Sequence, residues 1–250
     1  TTIALNLAVS LAQSGLRVTL VDADPNGDIL SAVGARERVR SGIFDLLATG
    51  GDPNSLATRT AVERLSLVPA LGRGVDLPES LVSSPPDRSV WTDVFHRLSA
   101  NADIVVVDTP AGMLGANLPV LGACTHVLGV LQAETMSQRS FDMFDRALGS
   151  MDHAPAVLGV VLNMLRRSHK ASLAVLADAS SEMPEDRLLQ ATIPRSDLFL
   201  EASVQGAPVS YAERDTAGIA LLFDTLAAEL VSRLELKQRS TKARPASFLV

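Results

Sequence analysis

Short apolar runs alternate along almost the whole chain with stretches whose apolar residues recur every three or four positions. The first such stretch, over 3–14, reads as a mostly buried helix that stops at Gly15, a residue suited to the position just past a helix end. Residues 17–22 (RVTLVD) form a short apolar run closed by an acid, the pattern of a strand buried in a parallel sheet. A short helix is predicted over 41–49 and a second strand over 65–69 (LSLVP). Residues 70–87 are rich in Gly, Pro and Ser, have no clean period and read as a loop. Val90, Val94, Phe95 and Leu98 mark a helix over 89–99, and 103–108 (DIVVVD) is the clearest strand of all. Two further strands, 126–131 and 157–162, enclose a helix over 137–151. A last strand at 188–193 and helices at 198–204 and 214–236 complete the series. Beyond Leu236 the sequence KQRSTKARPASFLV loses its period and reads as a disordered basic tail, 237–250. Alternation of this kind predicts an α/β fold, a mostly parallel twisted sheet with helices on both faces, in one domain over 1–236.

Composition narrows the picture. With 250 residues, 47% of them hydrophobic and 20% charged, the chain can build one sizeable core. The net charge of −6 means that any nucleic-acid contact must come from a local basic patch. Such a patch is formed by Arg166, Arg167, His169 and Lys170; a solvated loop and helix start is an equal reading of the same residues. The single cysteine, Cys124, excludes a disulfide framework within the chain, fits a reducing cytoplasm and reads as a packing residue. The four histidines have no metal-ligand spacing. The apolar run at 3–12 is interrupted by Asn6 and Ser10 and is too short for a membrane span. Thr1 stands where a Met is usual, and the chain reads as one that starts inside a longer protein.

The candidate chemistry lies at strand ends, because open α/β sheets bind ligands beyond the carboxyl ends of their strands. Two strands end there in aspartate. One continues as VDADPNGD, with Asp22 and Asp24 one residue apart; the other continues as VVVDTPAG, with Asp108 leading into a Thr-Pro turn. An acid so placed is a common ligand or water partner of a phosphate-bound Mg²⁺, although single acids also cap turns. Two of them, each beside a Pro–Gly turn, weaken the capping explanation.

These segments resemble the ParA/MinD family of P-loop ATPases. Thr1-Thr2-Ile3-Ala4-Leu5-Asn6-Leu7-Ala8 is similar to the stretch that follows the glycine–lysine loop, K-G-G-x-G-K-[ST]-T, of that family. The resemblance implies that Thr1 coordinates Mg²⁺ and that Thr2 lies near the α-phosphate, at a helix N-terminus that favours anions. Asp22-Ala23-Asp24-Pro25 resembles the D-x-D-P segment, which implies Asp22 in the Mg²⁺ shell and Asp24 positioning the attacking water. Asp108-Thr109-Pro110-Ala111-Gly112 resembles Walker B and switch II, with Asp108 holding a Mg²⁺-bound water. Gln132-Ala133-Glu134 stands where relatives carry Q-x-E, and Asn163 where MinD-like members read the adenine edge. Ile193-Pro194-Arg195, with Glu201-Ala202 and Gly206-Ala207-Pro208-Val209, resembles the segment that packs beside the base in ParA proteins. The likeness runs from Thr1 to about Leu236.

What the resemblance implies is a cytoplasmic ATPase, able to associate with the nucleoid, using ATP and Mg²⁺ as a dimerisation switch. It would form a homodimer when ATP-bound, answer to a ParB-like or other stimulating partner, and partition chromosomes, plasmids or another cargo. Arg166, Arg167 and Lys170 are then candidate contacts for nonspecific DNA, and the tail residues Lys237, Arg239, Lys242 and Arg244 could add to them. The tail contains Pro245 and too few apolar residues for an amphipathic membrane helix, so no membrane insertion is expected. The glycine loop, its two lysines and the strand before them are not among these residues, so the 250-residue chain is expected to bind and hydrolyse ATP poorly. Alternatives are a MinD/FlhG-like or cellulose-synthesis-associated ATPase and a non-hydrolysing scaffold. A hydrolase using Thr1 as nucleophile is disfavoured because Thr1 runs straight into a helix, and an iron–sulfur reductase because it needs two cysteines.

Overall fold

Strands that are apolar on both faces need cover on both sides, and this chain supplies it by threading helices between them. The computed structural model describes residues 1–35, 39–72, 76–112, 115, 117–133, 137–212 and 216–236, with backbone alone at 137–141. In chain order, α1 (Thr2–Gln13) leads to β1 (Val18–Asp22), α2 (Asp28–Ala32), α3 (Ile43–Thr49), β2 (Thr58–Arg59), β3 (Leu65–Val68), α4 (Glu79–Ser83), α5 (Arg88–Ser99) and β4 (Ile104–Asp108). The second half runs α6 (Asn117–Ala123), β5 (His126–Gln132), α7 (Ser137–Gly149), β6 (Ala156–Leu165), α8 (Lys170–Glu182), β7 (Leu188–Pro194), α9 (Leu198–Val204) and α10 (Ala217–Arg233).

The strands form two sheets, ordered β2-β3-β1-β4 and β5-β6-β7. Every pairing is parallel except that of the short β2 with β3. Side chains alternate between the faces as the pleat requires. On one face α1 and α10 cover both sheets at once: Leu11 of α1 and Phe223 and Leu226 of α10 share a cluster with Leu20, Val161 and Ile193 from β1, β6 and β7. On the other face of the first sheet, Phe44 of α3 and Trp91 and Phe95 of α5 pack on Val21 and Val68. Trp91 meets Phe44 edge-on, with centroids 5.9 Å apart. Beneath the second sheet lie Phe144 and Leu148 of α7 and Ala179 of α8. The expected α/β architecture with helices on both faces is therefore present, with its strands divided between two sheets.

Several boundaries differ from the sequence pattern for identifiable reasons. The segment expected to be all loop contains α4, which buries no residue and so leaves no apolar period to read. The helix α8, expected only as a helix start at the basic residues, buries only Ser172, Val175 and Ala179, and its Ala- and Ser-rich sequence makes that stripe faint. The strand β6 continues through Leu165, so Asn163 lies within it and not at its end. The residues 237–250, including the basic tail positions, and the helix start expected at 214 fall outside the described residues.

Candidate functional site

The pairing of β1 with β4 sets Asp22 opposite Asp108, two carboxyls side by side at the ends of adjacent parallel strands. Asp22 is fully buried, and Asp24 and Asp108 are 8% and 5% exposed. Backbone amides hold Asp22: Oδ1 accepts from Asp24 N at 3.2 Å and Oδ2 from Ile29 N at 3.2 Å. The chain can return from Asp24 to Ile29 so tightly because Gly27 takes the left-handed conformation, φ 65°. Asp24 Oδ1 accepts from Asn26 N at 2.9 Å. A bond of 2.8 Å from Ala23 N to the Asp108 carbonyl ties the two loops together.

Burial pushes the Asp22 carboxyl up to about 7, and the neighbouring Asp108 charge adds to the rise. Asp108 Oδ1 lies 2.8 Å from the backbone nitrogen of Thr1, at the start of α1. The Oδ2 of Asp108 is buried without a hydrogen-bond partner. Such an orphaned oxygen beside a second buried carboxyl is an environment that a cation would relieve. Among the described residues no cluster of three or more His, Cys, Asp or Glu could hold a metal by protein groups alone. A cation here would need water or phosphate oxygens to complete its shell, which is how Mg²⁺ is commonly held. The donor set therefore fits a Mg²⁺ that arrives with a phosphate ligand.

Thr1 is the N-cap of α1 but makes no side-chain cap bond, and the exposed Thr2 begins the helix. The turn after Asp108 is clamped by a residue that the motifs did not single out. Asn117, 6% exposed, donates from Nδ2 to the carbonyls of Pro110, Ala111 and Gly112 at 3.1, 3.3 and 3.0 Å. A second such residue is Asn6, whose Nδ2 donates to Thr2 O at 2.9 Å while its Oδ1 accepts from Val209 N at 2.8 Å. The signal for Asn6 was an amide interrupting an apolar helical run; nothing in the local pattern marks Asn117.

One cleft of about 1710 Å³ runs past Thr1, Thr2, Asp24, Asp108, Gly112 and Asn163. Asn163 spends its Oδ1 on the amide of Met164 at 2.9 Å. Pro194 ends β7, and Arg195, exposed, donates its amide to Leu165 O at 3.1 Å. Both stand at the same sheet edge but outside the lining of the cleft. Gln132 lies in the cleft wall, and Glu134 is outside the described residues. Arg166, Arg167, His169 and Lys170 are all exposed just past β6. Their turn is anchored by buried Ser172, whose Oγ accepts from Arg166 N at 3.0 Å and donates to Ala133 O at 3.1 Å. Cys124 is buried enough to raise its thiol to about 12, and its Sγ donates to Val120 O at 3.3 Å, as a packing residue should.

Paired strand-end carboxyls facing a helix N-terminus across a cleft at the carboxyl edge of a parallel sheet define a phosphate-ligand domain of the open α/β class. The chain belongs to the CobQ/CobB/MinD/ParA nucleotide binding domain family, whose model matches residues 1–209. It is 27% identical over 240 residues to the chromosome-partitioning ATPase Soj of Treponema pallidum, covering 93% of this chain and 92% of that protein. Its fold is similar to that of a Cyanothece McdA variant in complex with ATP, with a TM-score of 0.76, 22% identity and coverage of 96% and 93%. The septum site-determining protein MinD of Pyrococcus horikoshii, solved with Mg-ADP, superposes with a TM-score of 0.73, 22% identity and coverage of 92% and 89%. No helix among the described residues is long and apolar enough to cross a membrane.

Proposed function

We propose that this chain is the body of a ParA-type ATPase, an ATP-dependent dimerisation switch that positions chromosomes, plasmids or another large cargo. The observation that carries the reading is the buried pair Asp22 and Asp108 in register, with the start of α1 at 2.8 Å from Asp108. The similarity to a partitioning ATPase along nearly the whole chain supports it, as do the ATP and Mg-ADP bound by the structural relatives. The Thr1 hydroxyl, Asp22 and Asp108 would hold the Mg²⁺, directly or through water. When bound, that ion neutralises charge on the transferring phosphoryl group. Asp24, which lines the cleft beside this pair, orients the attacking water. Asn163, Pro194 and Arg195 serve the base side, and the exposed Arg166, Arg167 and Lys170 meet DNA phosphates.

No K-G-G-x-G-K loop occurs in the 250 residues. Because amides and lysines of such a loop carry most β- and γ-phosphate contacts, these residues taken alone bind ATP weakly and turn it over little. The test is therefore made on the chain with that loop and a preceding strand joined to Thr1. Mg²⁺-dependent ATP binding with slow turnover is expected, and Asp24→Ala should keep the binding and lose the turnover. No binding in the extended chain would leave a scaffold that has the fold without the chemistry. Retention on DNA that weakens as salt rises separates a DNA-borne switch from one that carries a protein cargo.

A further inference from the structure

The helix α1 is buried almost all round, and Asn6 is buried with it among apolar neighbours. A polar amide in a helix interior is disfavoured against Leu or Ala and costs more still if its groups go unpaired. Both ends of this amide are used. Its Oδ1 accepts from Val209 N at 2.8 Å, across 203 residues of sequence, and its Nδ2 donates to Thr2 O at 2.9 Å, one helical turn back. Thr2 lines the cleft. One side chain therefore joins the turn 206–209 to the first turn of α1.

The same turn is held from two other directions. The Val209 carbonyl accepts from Oγ1 of the buried Thr216 at 2.6 Å. Gly206 ends α9 in the left-handed conformation, φ 67°, with Gly206 N on Ser203 O and Ala207 N on Ala202 O, both at 3.0 Å. Gly34 ends α2 in the same way, φ 62°, with Gly34 N on Ser31 O at 3.2 Å and Ala35 N on Leu30 O at 2.9 Å. Both are Schellman caps, and they meet back to back. A Cβ at 206 would stand 3.1 Å from Gly34 N and Cα, and a Cβ at 34 would stand 3.3 Å from Gly206 Cα. Backbone thus lies on backbone, with no flexible side chain between to absorb a displacement. At its other end α2 carries Ile29, whose N–H holds Asp22 Oδ2 at 3.2 Å.

We propose that the turn 206–209 is a shared post for two arms of the site, the Asp22–Asp24 loop and the start of α1, with Gly206 and Asn6 as its positioning residues. Gly206 sets the first arm through Gly34 and α2. Asn6 sets the second through Thr2. Neither residue lines the cleft, so each acts through the groups that do. A packed interior transmits a shift at one contact to the next, and the post therefore keeps the two arms at a fixed separation. A cation shared between a carboxylate loop and a phosphate at the helix start depends on that separation, and positioning is lost with shifts of about 1 Å. This role in cation binding rests on the reading of Asp22 and Asp108 as a Mg²⁺ site; the link between the arms does not.

The test is a double-mutant cycle on the 250-residue chain, read first by backbone amide NMR shifts. These shifts report the folded state and do not respond to a mere loss of stability. Gly206→Ala pushes a Cβ against the Gly34 backbone and should shift the amides of both arms, Asp24 and Ile29 on one side, Ile3 and Leu5 on the other. Asn6→Leu fills the same place with an apolar helix former and removes both bonds. In that background Gly206→Ala should still shift Ile29, and its effect at Ile3 and Leu5 should fall by at least about two thirds. If Gly206→Ala does not fold, Gly34→Ala enters the same contact from the other side with slightly more room. No shift at Ile3 and Leu5, or the same shift with and without Asn6, would overturn the proposal. Mn²⁺ alone, followed by line broadening at Asp24 and Gly112, gives the second readout. Its dissociation constant should rise about threefold or more in either single variant. Equal constants in the wild type and both variants would reduce the turn to packing and overturn the positioning role. Absence of broadening in the wild type would instead sink the cation reading, and the positioning role with it, while the shift cycle would still decide whether the two arms share a post.

Discussion

Replacing Asp22 with Asn should flatten the pH dependence of folding near neutrality. The carboxyl titrates at about 7 in the folded chain against an ordinary value of 3.8. Between those values the folded state holds a proton that the unfolded chain has already released. Asp22 therefore contributes most to relative stability below pH 3.8, and that contribution is lost as pH rises through about 7. The slope approaches about 1.4 kcal/mol per pH unit and accumulates to about 4 kcal/mol across the window. Since Asp22 is fully buried, solvent screening does not reduce the figure. Asp22→Asn places an amide N–H₂ against a backbone N–H, which costs about 1–3 kcal/mol at every pH. That cost moves the whole curve and leaves its slope alone. The assay is urea unfolding from pH 4 to 8 without nucleotide or divalent metal, followed by the fluorescence of Trp91, the only tryptophan. Subtracting the variant's curve from the wild type's cancels the titrating groups remote from Asp22 and leaves the response of Asp22 together with its coupled neighbours Asp108 and Asp24. A difference that falls toward neutral pH supports the reasoning; a flat difference refutes it, because Asp22 would then titrate normally.

Two further outcomes follow from hydrogen bonds and exposure. Asn117→Ala should release the turn at 110–112, costing about 1–3 kcal/mol in urea unfolding and speeding hydrogen exchange in that turn more than in β4; equal exchange in both would mean that Asn117 acts only through global stability. Replacing Arg166, Arg167 and Lys170 together with Ala should lower the slope of log affinity against log salt for duplex DNA by about 2–3 in a chain that retains DNA, and an unchanged slope would assign these exposed residues to a solvated turn.

Most of the fold was legible because its signals are local. The runs VTLVD and IVVVD are apolar on both faces, and the parallel pairing they predicted follows from that. The helical period was read from Val90, Val94, Phe95 and Leu98; the face that α5 packs on the sheet is Trp91, Val94, Phe95 and Leu98, while Val90 is exposed. Elements without a buried stripe, such as α4, left no trace. The acids at strand ends were found by position, and their register made them neighbours. Asn117 was not found, because its role arises from a turn that comes back to it, a relation no local period encodes. The division into two sheets was not legible either: a strand's edge is satisfied or left open by its neighbour in space, which its own sequence does not specify.

The carboxyl pair explains how such a site can be both costly and retained. Burial alone would favour apolar residues at the ends of β1 and β4, whose other positions are Val, Leu, Ile and Thr. Asp22 and Asp108 instead set two acids opposite each other, one pushed up to about 7 and one with an orphaned oxygen. Each departs from the satisfied, apolar interior that the rest of the fold maintains, and local rules are broken chiefly where function requires it. A divalent cation brought in by phosphates would supply positive charge to both acids, and its binding would stabilise the fold by about 2.7 kcal/mol at one hundred times its dissociation constant. That stabilisation must shrink below pH 7, where the proton on Asp22 competes for the same carboxyl. The cost of the unliganded pair and an affinity for a phosphate-borne cation would then be two expressions of one arrangement, and would make folding, cation and phosphate interdependent at the edge where β1 and β4 end.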